Sequence, residues 1–270
     1  MPALTQLVAL ALLAAPSLAT PQLAPPWREI APGVQAAPAH ELGGDPAWAA
    51  KVLLIDPTRA TFAVRTDPAR PRLGEWRERF PGALAISNGS FYSEDGPPGR
   101  EVRPTCDLVS EGKFVKGAGC KRQDALFFGA RLRSAGPVTP AALVSREPPP
   151  VRILAPADFK AEQWQEALKS FPSLVRTGVP ACKGEHYCAE SSRTAALALM
   201  KDGRVLLFAS QWPAIRKDVA KWLAEGMGAV DAINLDGGPE ATLALRGEAV
   251  DEVVGTPGLG LPMVLIVLPQ

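Results

Sequence analysis

The stretch that most narrows what this chain can fold into is RTAALALMKDGRVLLFAS, from Arg193 to Ser210. Two apolar runs flank Lys201-Asp202-Gly203, and an Asp-Gly pair between such runs signals an antiparallel hairpin. A helix is expected directly afterwards. Ile215, Val219, Trp222 and Leu223 recur on its inner face, Arg216, Lys217, Lys221 and Glu225 point outward, and Gly226 and Gly228 stop it. AVDAINLD then returns as a strand, and MVLIVL near the end supplies another.

Upstream, KVLLIDPTRATFAVRT reads as two short strands around an Asp56-Pro57 turn. In LGEWRERF, Leu73, Trp76 and Phe80 share a helical face with Glu75, Glu78 and Arg79 outside, and Pro81 and Gly82 end the helix. ALAIS is a small-residue strand leading into Asn88. From Gly96 to Gly119 the composition predicts loops and short strands, followed by a strand over Ala125 to Gly129 and a stiff connector at Pro148 to Pro150. Asp158 is expected to cap a helix with Trp164, Leu168 and Phe171 on one side. Strands and helices mix without regular alternation, which predicts an α+β fold: one domain with a mixed, largely antiparallel sheet packed by a few amphipathic helices.

A chain of 270 residues, 47% of them hydrophobic, is long enough for a sizeable core. Its formal net charge of +1 offers no basic surplus for a nucleic-acid partner, so an anionic substrate must be met by a few local cations. The opening MPALTQLVALALLAAPSLAT lacks a Lys or Arg before its apolar run, yet Ser17 and Ala19 fit small-x-small cleavage. A signal peptide over residues 1–19 is therefore expected, with a mature chain over 20–270 whose core spans about 50–270. The run is too short for a comfortable membrane span, and Pro16, Pro21, Pro25 and Pro26 oppose a helix continuing from it. The four cysteines suit disulfides in an exported chain, and the local pairings Cys106–Cys120 and Cys182–Cys188 are favoured among the three connectivities. His186 between the second pair is the one feature pointing to zinc.

Three strand-to-loop transitions carry candidate chemistry. In INLDGG, strand alternation puts Ile233 and Leu235 on one side and Asn234 and Asp236 on the other. Gly237 and Gly238 follow, with backbone able to approach a ligand and offer amides to an anion. A plain turn in which Asp236 binds local amides is the simpler alternative. In ISNGSFY, Asn88, Gly89 and Ser90 supply amide, bare backbone and hydroxyl, while Phe91 and Tyr92 suit either sugar stacking or the core. In SSRTA, Arg193 and Thr194 open an apolar strand; the arginine suits a bidentate phosphate contact or an ion pair with Asp236.

In this order, NGSFY, PSLVRTG (Pro172 to Gly178), RTA before a hairpin and INLDGG before the last strand resemble the phosphodiester glycosidase family, from about Lys51 to the C-terminus. The resemblance implies an exported hydrolase of glycosyl phosphodiesters, for example an N-acetylglucosamine-1-phosphodiester, cut between sugar and phosphate. Asp236 then serves as nucleophile, base or electrostatic stabiliser, with Glu240 or Glu94 as second carboxylate. Arg193 with the Gly237 and Gly238 amides forms the expected anion clamp, and Asn88 and Asn234 position the substrate. Three departures stand out: Ser90 in the third place of the first turn, Leu197-Ala198-Leu199 where the family has Gly-His-Asp, and Pro239-Glu240 after the glycines. A non-catalytic module binding cell-envelope sugar phosphates is the alternative. No cofactor is called for; no His or Asp cluster has metal-ligand spacing, metal assistance stays open, and the expected location is periplasmic or secreted.

Overall fold

In the computed structural model, the described residues are 26–93, 102–131, 150–182, 186–248, 250–258 and 260–270. The expected leader, Glu94 and most of the Pro148 to Pro150 connector lie outside them. Three large antiparallel sheets, two two-stranded ones and few helices make up the described chain. The largest sheet has eight strands in the order Arg28–Ala31, Val34–Pro38, Lys51–Ile55, Val205–Ala209, Ala195–Met200, Ala229–Asn234, Ser173–Arg176 and Val179–Pro180. A five-stranded sheet orders Val250–Val254, Leu243–Gly247, Ala85–Asn88, Met263–Pro269 and Ala60–Thr66. A second one orders Val151–Leu154, Leu126–Ala130, Glu166–Ser170, Leu108–Ser110 and Lys113–Val115. The largely antiparallel expectation holds; the architecture is more heavily β than an even α+β mixture.

The predicted hairpin sits at the centre of the large sheet, with Leu197 opposite Leu207. Its turn is fastened by the Arg204 amide donating to Asp202 Oδ1 at 3.1 Å, and Gly203 supplies φ = +87°. Side chains alternate across a strand, so an unbroken apolar run must be covered on both faces. Leu197, Val205 and Leu207 enter a central core shared with Phe62, Leu265, Phe128 and Leu168 of the other two sheets. Ala196, Ala198, Leu206 and Phe208 face the opposite way, onto Trp48, Val219, Trp222 and Leu223.

The Arg216–Lys221 helix, continued by a π-helical turn over Trp222–Gly226, supplies that cover. The Leu73–Arg79 helix covers the outer face of the sheet built around Ala85–Asn88 through Trp76, whose indole donates to the Leu261 carbonyl at 2.9 Å. The two runs of KVLLIDPTRATFAVRT do form strands, but they enter different sheets, so the Asp56-Pro57 turn is a crossing between layers.

One expected helix is absent. The segment after Asp158 forms two short 3-10 turns and then the Glu166–Ser170 strand. Trp164 and Leu168 face opposite sides: the indole covers Gly129, where a Cβ would lie 2.5 Å from the ring, while Leu168 enters the central core. Helical spacing of three apolar residues was outweighed by pairing with the Leu126–Ala130 strand. Both local disulfides, Cys106–Cys120 and Cys182–Cys188, are present, leaving no free cysteine for the zinc reading among the described residues. No described helix is long and apolar enough to cross a membrane.

Candidate functional site

The site forms where the large sheet meets the sheet containing Ala85–Asn88. Ile233 and Leu235 both enter the central core, so the strand running through INLDGG projects Asp236 from its end. Three backbone-centred bonds lock the two segments together. The Asp236 amide donates to the Gly89 carbonyl at 2.9 Å, Asn88 Nδ2 donates to the Asp236 carbonyl at 2.7 Å, and the Thr242 amide donates to Asn88 Oδ1 at 3.0 Å. Gly89 is required by close packing: a Cβ would stand 2.4 Å from Met263 Cγ.

Several predicted substrate contacts are spent inside the protein. Asn88, Ser90, Thr194 and Asn234 are buried. Ser90 Oγ donates to Ser170 Oγ at 3.1 Å, which donates to the Asn234 carbonyl at 2.5 Å. Thr194 Oγ1 donates to the Ser192 and Ala214 carbonyls. These bonds hold the loops together, while Asn234 Oδ1 stays buried without a hydrogen-bond partner among the described residues. The glycine amides are also occupied: Gly237 N–H donates to Asp236 Oδ1 at 2.9 Å and Gly238 N–H to the Arg193 carbonyl at 2.8 Å.

Arg193 does not pair with Asp236. Its guanidinium donates to the carbonyls of Gly238, Pro239 and Thr256, bracing the turn that follows the carboxylate. The expected clamp of Arg193 plus two free amides is therefore not assembled: Arg193 and the Gly238 amide are taken up by backbone carbonyls, and the Gly237 amide by the Asp236 carboxylate.

The cations that act on Asp236 are Arg216 and Arg70. Arg216, expected on the outer helix face, is 3% exposed. The Ala214–Ile215 strand pairs with Ser191–Ser192, turning the first helical residue back toward the site. Its Nη2 donates to Ser192 Oγ at 2.8 Å and its Nη1 to the Tyr187 carbonyl at 2.8 Å, with Glu190 3.2 Å away. The same Nη2 lies 3.3 Å from where a Gly237 Cβ would be, so this glycine lets the guanidinium reach the backbone beside Asp236. Arg70 Nη2 donates to the Tyr92 hydroxyl, which in turn donates to Glu240 Oε1 at 3.1 Å. Tyr92 thus contributes its hydroxyl to a polar chain, in place of the expected stacking on sugar.

Burial and the neighbouring negative charge of Glu240 raise the Asp236 carboxyl from 3.8 to about 7, while the Gly237 amide, Arg216 and Arg70 pull the other way. Asp236 nonetheless keeps some solvent access, so the carboxyl is shielded without being sealed. Burial pushes the Tyr187 phenol up to about 12, with Arg216 opposing and Asp236 adding to the rise. Beside this pair stands an aromatic wall of partly exposed rings. Phe91 stacks on Phe171 at 4.4 Å, Tyr187 lies 6.3 Å from each, and the Arg216 guanidinium covers Tyr187 at 4.2 Å. No group of three or more His, Cys, Asp or Glu suited to a metal ion occurs among the described residues.

Arg216, Arg70 and Tyr187 were not anticipated. Arg216 alternates with apolar residues as an outward helix position would, and only the short strand before it redirects it. Arg70 lies in a polar loop with no motif to mark it.

Asp236 and Glu240, the Arg216 and Arg70 guanidinium groups and the Phe91, Phe171 and Tyr187 rings thus gather around one junction of the antiparallel β core. The phosphodiester glycosidase family model matches residues 81–267, and the chain belongs to that family. The catalytic domain of zebrafish N-acetylglucosamine-1-phosphodiester alpha-N-acetylglucosaminidase, solved auto-inhibited by its pro-peptide, is similar at 16% identity and TM-score 0.55, covering 82% of this chain and 77% of that one. A putative exported protein from Burkholderia pseudomallei K96243 is similar at 16% identity and TM-score 0.55, over 82% and 74% of the two chains. A hypothetical protein from Synechocystis follows at 14% identity and TM-score 0.52, with 82% of this chain and 59% of that chain covered. At these identities the structures establish a shared fold. No curated protein sequence matches the chain.

Proposed function

We propose that the chain is an exported hydrolase that breaks the bond between a sugar and the phosphate of a glycosyl phosphodiester. The observation that carries this reading is the pairing of Asp236 with Glu240, in which a shielded carboxyl titrates close to neutral beside a second carboxylate. A base works best with a proton affinity near the working pH, and Asp236 meets that condition. Asp236 takes a proton from the water that attacks the anomeric carbon. The phosphate monoester departs with the bonding electrons and, being a stable anion, needs little protonation. Glu240 supplies negative charge near the developing positive charge on the sugar. Arg216 and Arg70 replace the expected Arg193 as the source of positive charge for the phosphate, and Arg193 keeps the following turn in place.

The signal peptide over residues 1–19 and a mature chain over 20–270 belong to this proposal, supported by the two disulfides. The partly exposed Phe91–Phe171 stack keeps a second reading in view, a module that binds envelope sugar phosphates without cutting them. One experiment separates the two. The mature protein is incubated with an N-acetylglucosamine-1-phosphodiester and free sugar is measured. Hydrolysis is expected, with Asp236→Asn slower by a factor of about a hundred or more, the scale of losing one preorganised group. Saturable binding with no sugar released would favour the module, and hydrolysis unaffected by Asp236→Asn would remove the proposed site.

A further inference from the structure

The Tyr92 hydroxyl, and the backbone conformation that aims Arg70 at it, are features that the hydrolytic scheme above does not use. Arg70 adopts φ = +56°, in the left-handed region that a non-glycine residue rarely occupies. The strain is held from two sides: the Arg70 amide donates to the Asp67 carbonyl at 3.0 Å, and the Arg70 carbonyl packs where only a glycine fits, at Gly260. In this conformation the guanidinium lies 4.8 Å from the centre of the Tyr92 ring while also donating to its hydroxyl. The phenol proton is thereby directed to Glu240 Oε1, 3.1 Å away. Strained backbone persists where the surrounding structure over-determines it, and here it also aims a side chain. Arg70 also lies outside residues 81–267, so the feature comes from a loop preceding the family-matched segment.

We propose that Tyr92 is a positioning residue for Glu240, steadied from behind by Arg70, and that through Glu240 it governs the proton on Asp236. The charged and titratable groups around this pair come from four elements. Arg70 belongs to the loop before the Leu73–Arg79 helix, and Tyr92 to the short Tyr92–Ser93 strand paired with Arg103–Pro104. Arg216 opens its helix, and Tyr187 lies on the His186–Ala189 turn, backed by Glu190. Of these, Glu240 alone pushes the Asp236 proton affinity upward as a neighbour, while Arg216 and Arg70 push it down. The distance and orientation of the Glu240 carboxylate therefore set the balance, and among the described residues the side-chain donor holding that carboxylate is the Tyr92 hydroxyl. With the hydroxyl removed, the like charge drifts toward water and Asp236 ionises more easily.

The catalytic meaning of this relay rests on the proposed hydrolase, but its test does not. The Asp236 carboxyl carbon is followed by 13C NMR in the mature chain labelled at aspartate, and its signal is assigned by its disappearance in Asp236→Asn. Tyr92→Phe keeps the ring beneath Arg70 and removes only the hydroxyl. The Asp236 midpoint is expected to fall by about one pH unit in Tyr92→Phe and in Glu240→Gln, within the usual reach of a single charged neighbour. The double variant should fall no further than Glu240→Gln alone, since one change acts through the other. If Tyr92→Phe does not fold, Arg70→Lys keeps the charge, loses the planar donor and should shift the midpoint in the same direction. An unchanged midpoint, or fully additive shifts, would overturn the relay. A shifted midpoint in a protein that releases no sugar would leave the relay standing and refute the hydrolase.

Discussion

Replacing Asp236 by Asn should make the protein more stable and less active, and the gain should depend on pH in a defined way. The carboxyl has an ordinary value of 3.8 and is raised to about 7 in the folded chain. Well below pH 4 the group is protonated in folded and unfolded chains alike, and the substitution changes little. Between the two values the unfolded chain has lost its proton while the folded chain retains it, so stability falls by about 1.4 kcal/mol for each pH unit. Above about pH 7 both are ionised, and the accumulated cost levels off at about 4 kcal/mol. Asparagine has nearly the same shape, can still accept from the Gly237 amide and carries no charge to desolvate. The assay is urea unfolding of wild type and Asp236→Asn at a series of pH values from 4 to 8. The two stabilities should be close at pH 4 and diverge to a few kcal/mol at pH 8, with Asp236→Asn the more stable. Parallel curves, or a variant that loses stability at pH 8, would refute the claim that burial and Glu240 disfavour the ionised form.

Three further outcomes are expected. If Asp236 acts as the base, kcat/KM for the phosphodiester should rise with pH to a plateau through an apparent pKa of about 7, and a profile flat from pH 5 to 9 would contradict that role. Replacing both Cys182 and Cys188 by Ser opens a loop with a sequence separation of 6, which should cost about 2 kcal/mol in thermal or urea unfolding. Activity should fall in the same variant, because Tyr187 and Glu190 would no longer hold Arg216. Gly89→Ala forces a methyl group against Met263 and should destabilise by about 1–3 kcal/mol, while Gly43→Ala, where the space is open but φ is +80°, should show backbone strain alone.

Much of the scaffold could be read from sequence because periodicity reports on burial. The hairpin, the strand through Ile233, the Trp76 helix and the C-terminal strand all appear where their apolar spacing places them. Trp164 shows the limit of such reading: its spacing to Leu168 and Phe171 suits a helix, but pairing with the Leu126–Ala130 strand decides the conformation. At the site, the motifs located the right loops but not the roles within them. Asn88, Ser90 and Asn234 are polar residues at the ends of apolar strands, and sequence alone does not say whether such groups meet a ligand or another loop. Here they meet other loops. Arg193 and Arg216 exchange their expected positions for the same reason. Which guanidinium turns inward depends on the Ser191–Ser192 pairing with Ala214–Ile215, a contact two residues long that leaves no periodic trace.

Asp236 is attached to one sheet through its own strand and to another through Gly89 and Asn88. The carboxylate therefore reports on the fit between two slabs of structure. A substitution deep in the shared interior, such as trimming Leu265, would move one slab against the other by fractions of an ångström. Its first symptom would be slower turnover in a molecule that still melts cooperatively, so variants with damaged chemistry should be found far from any residue that touches substrate.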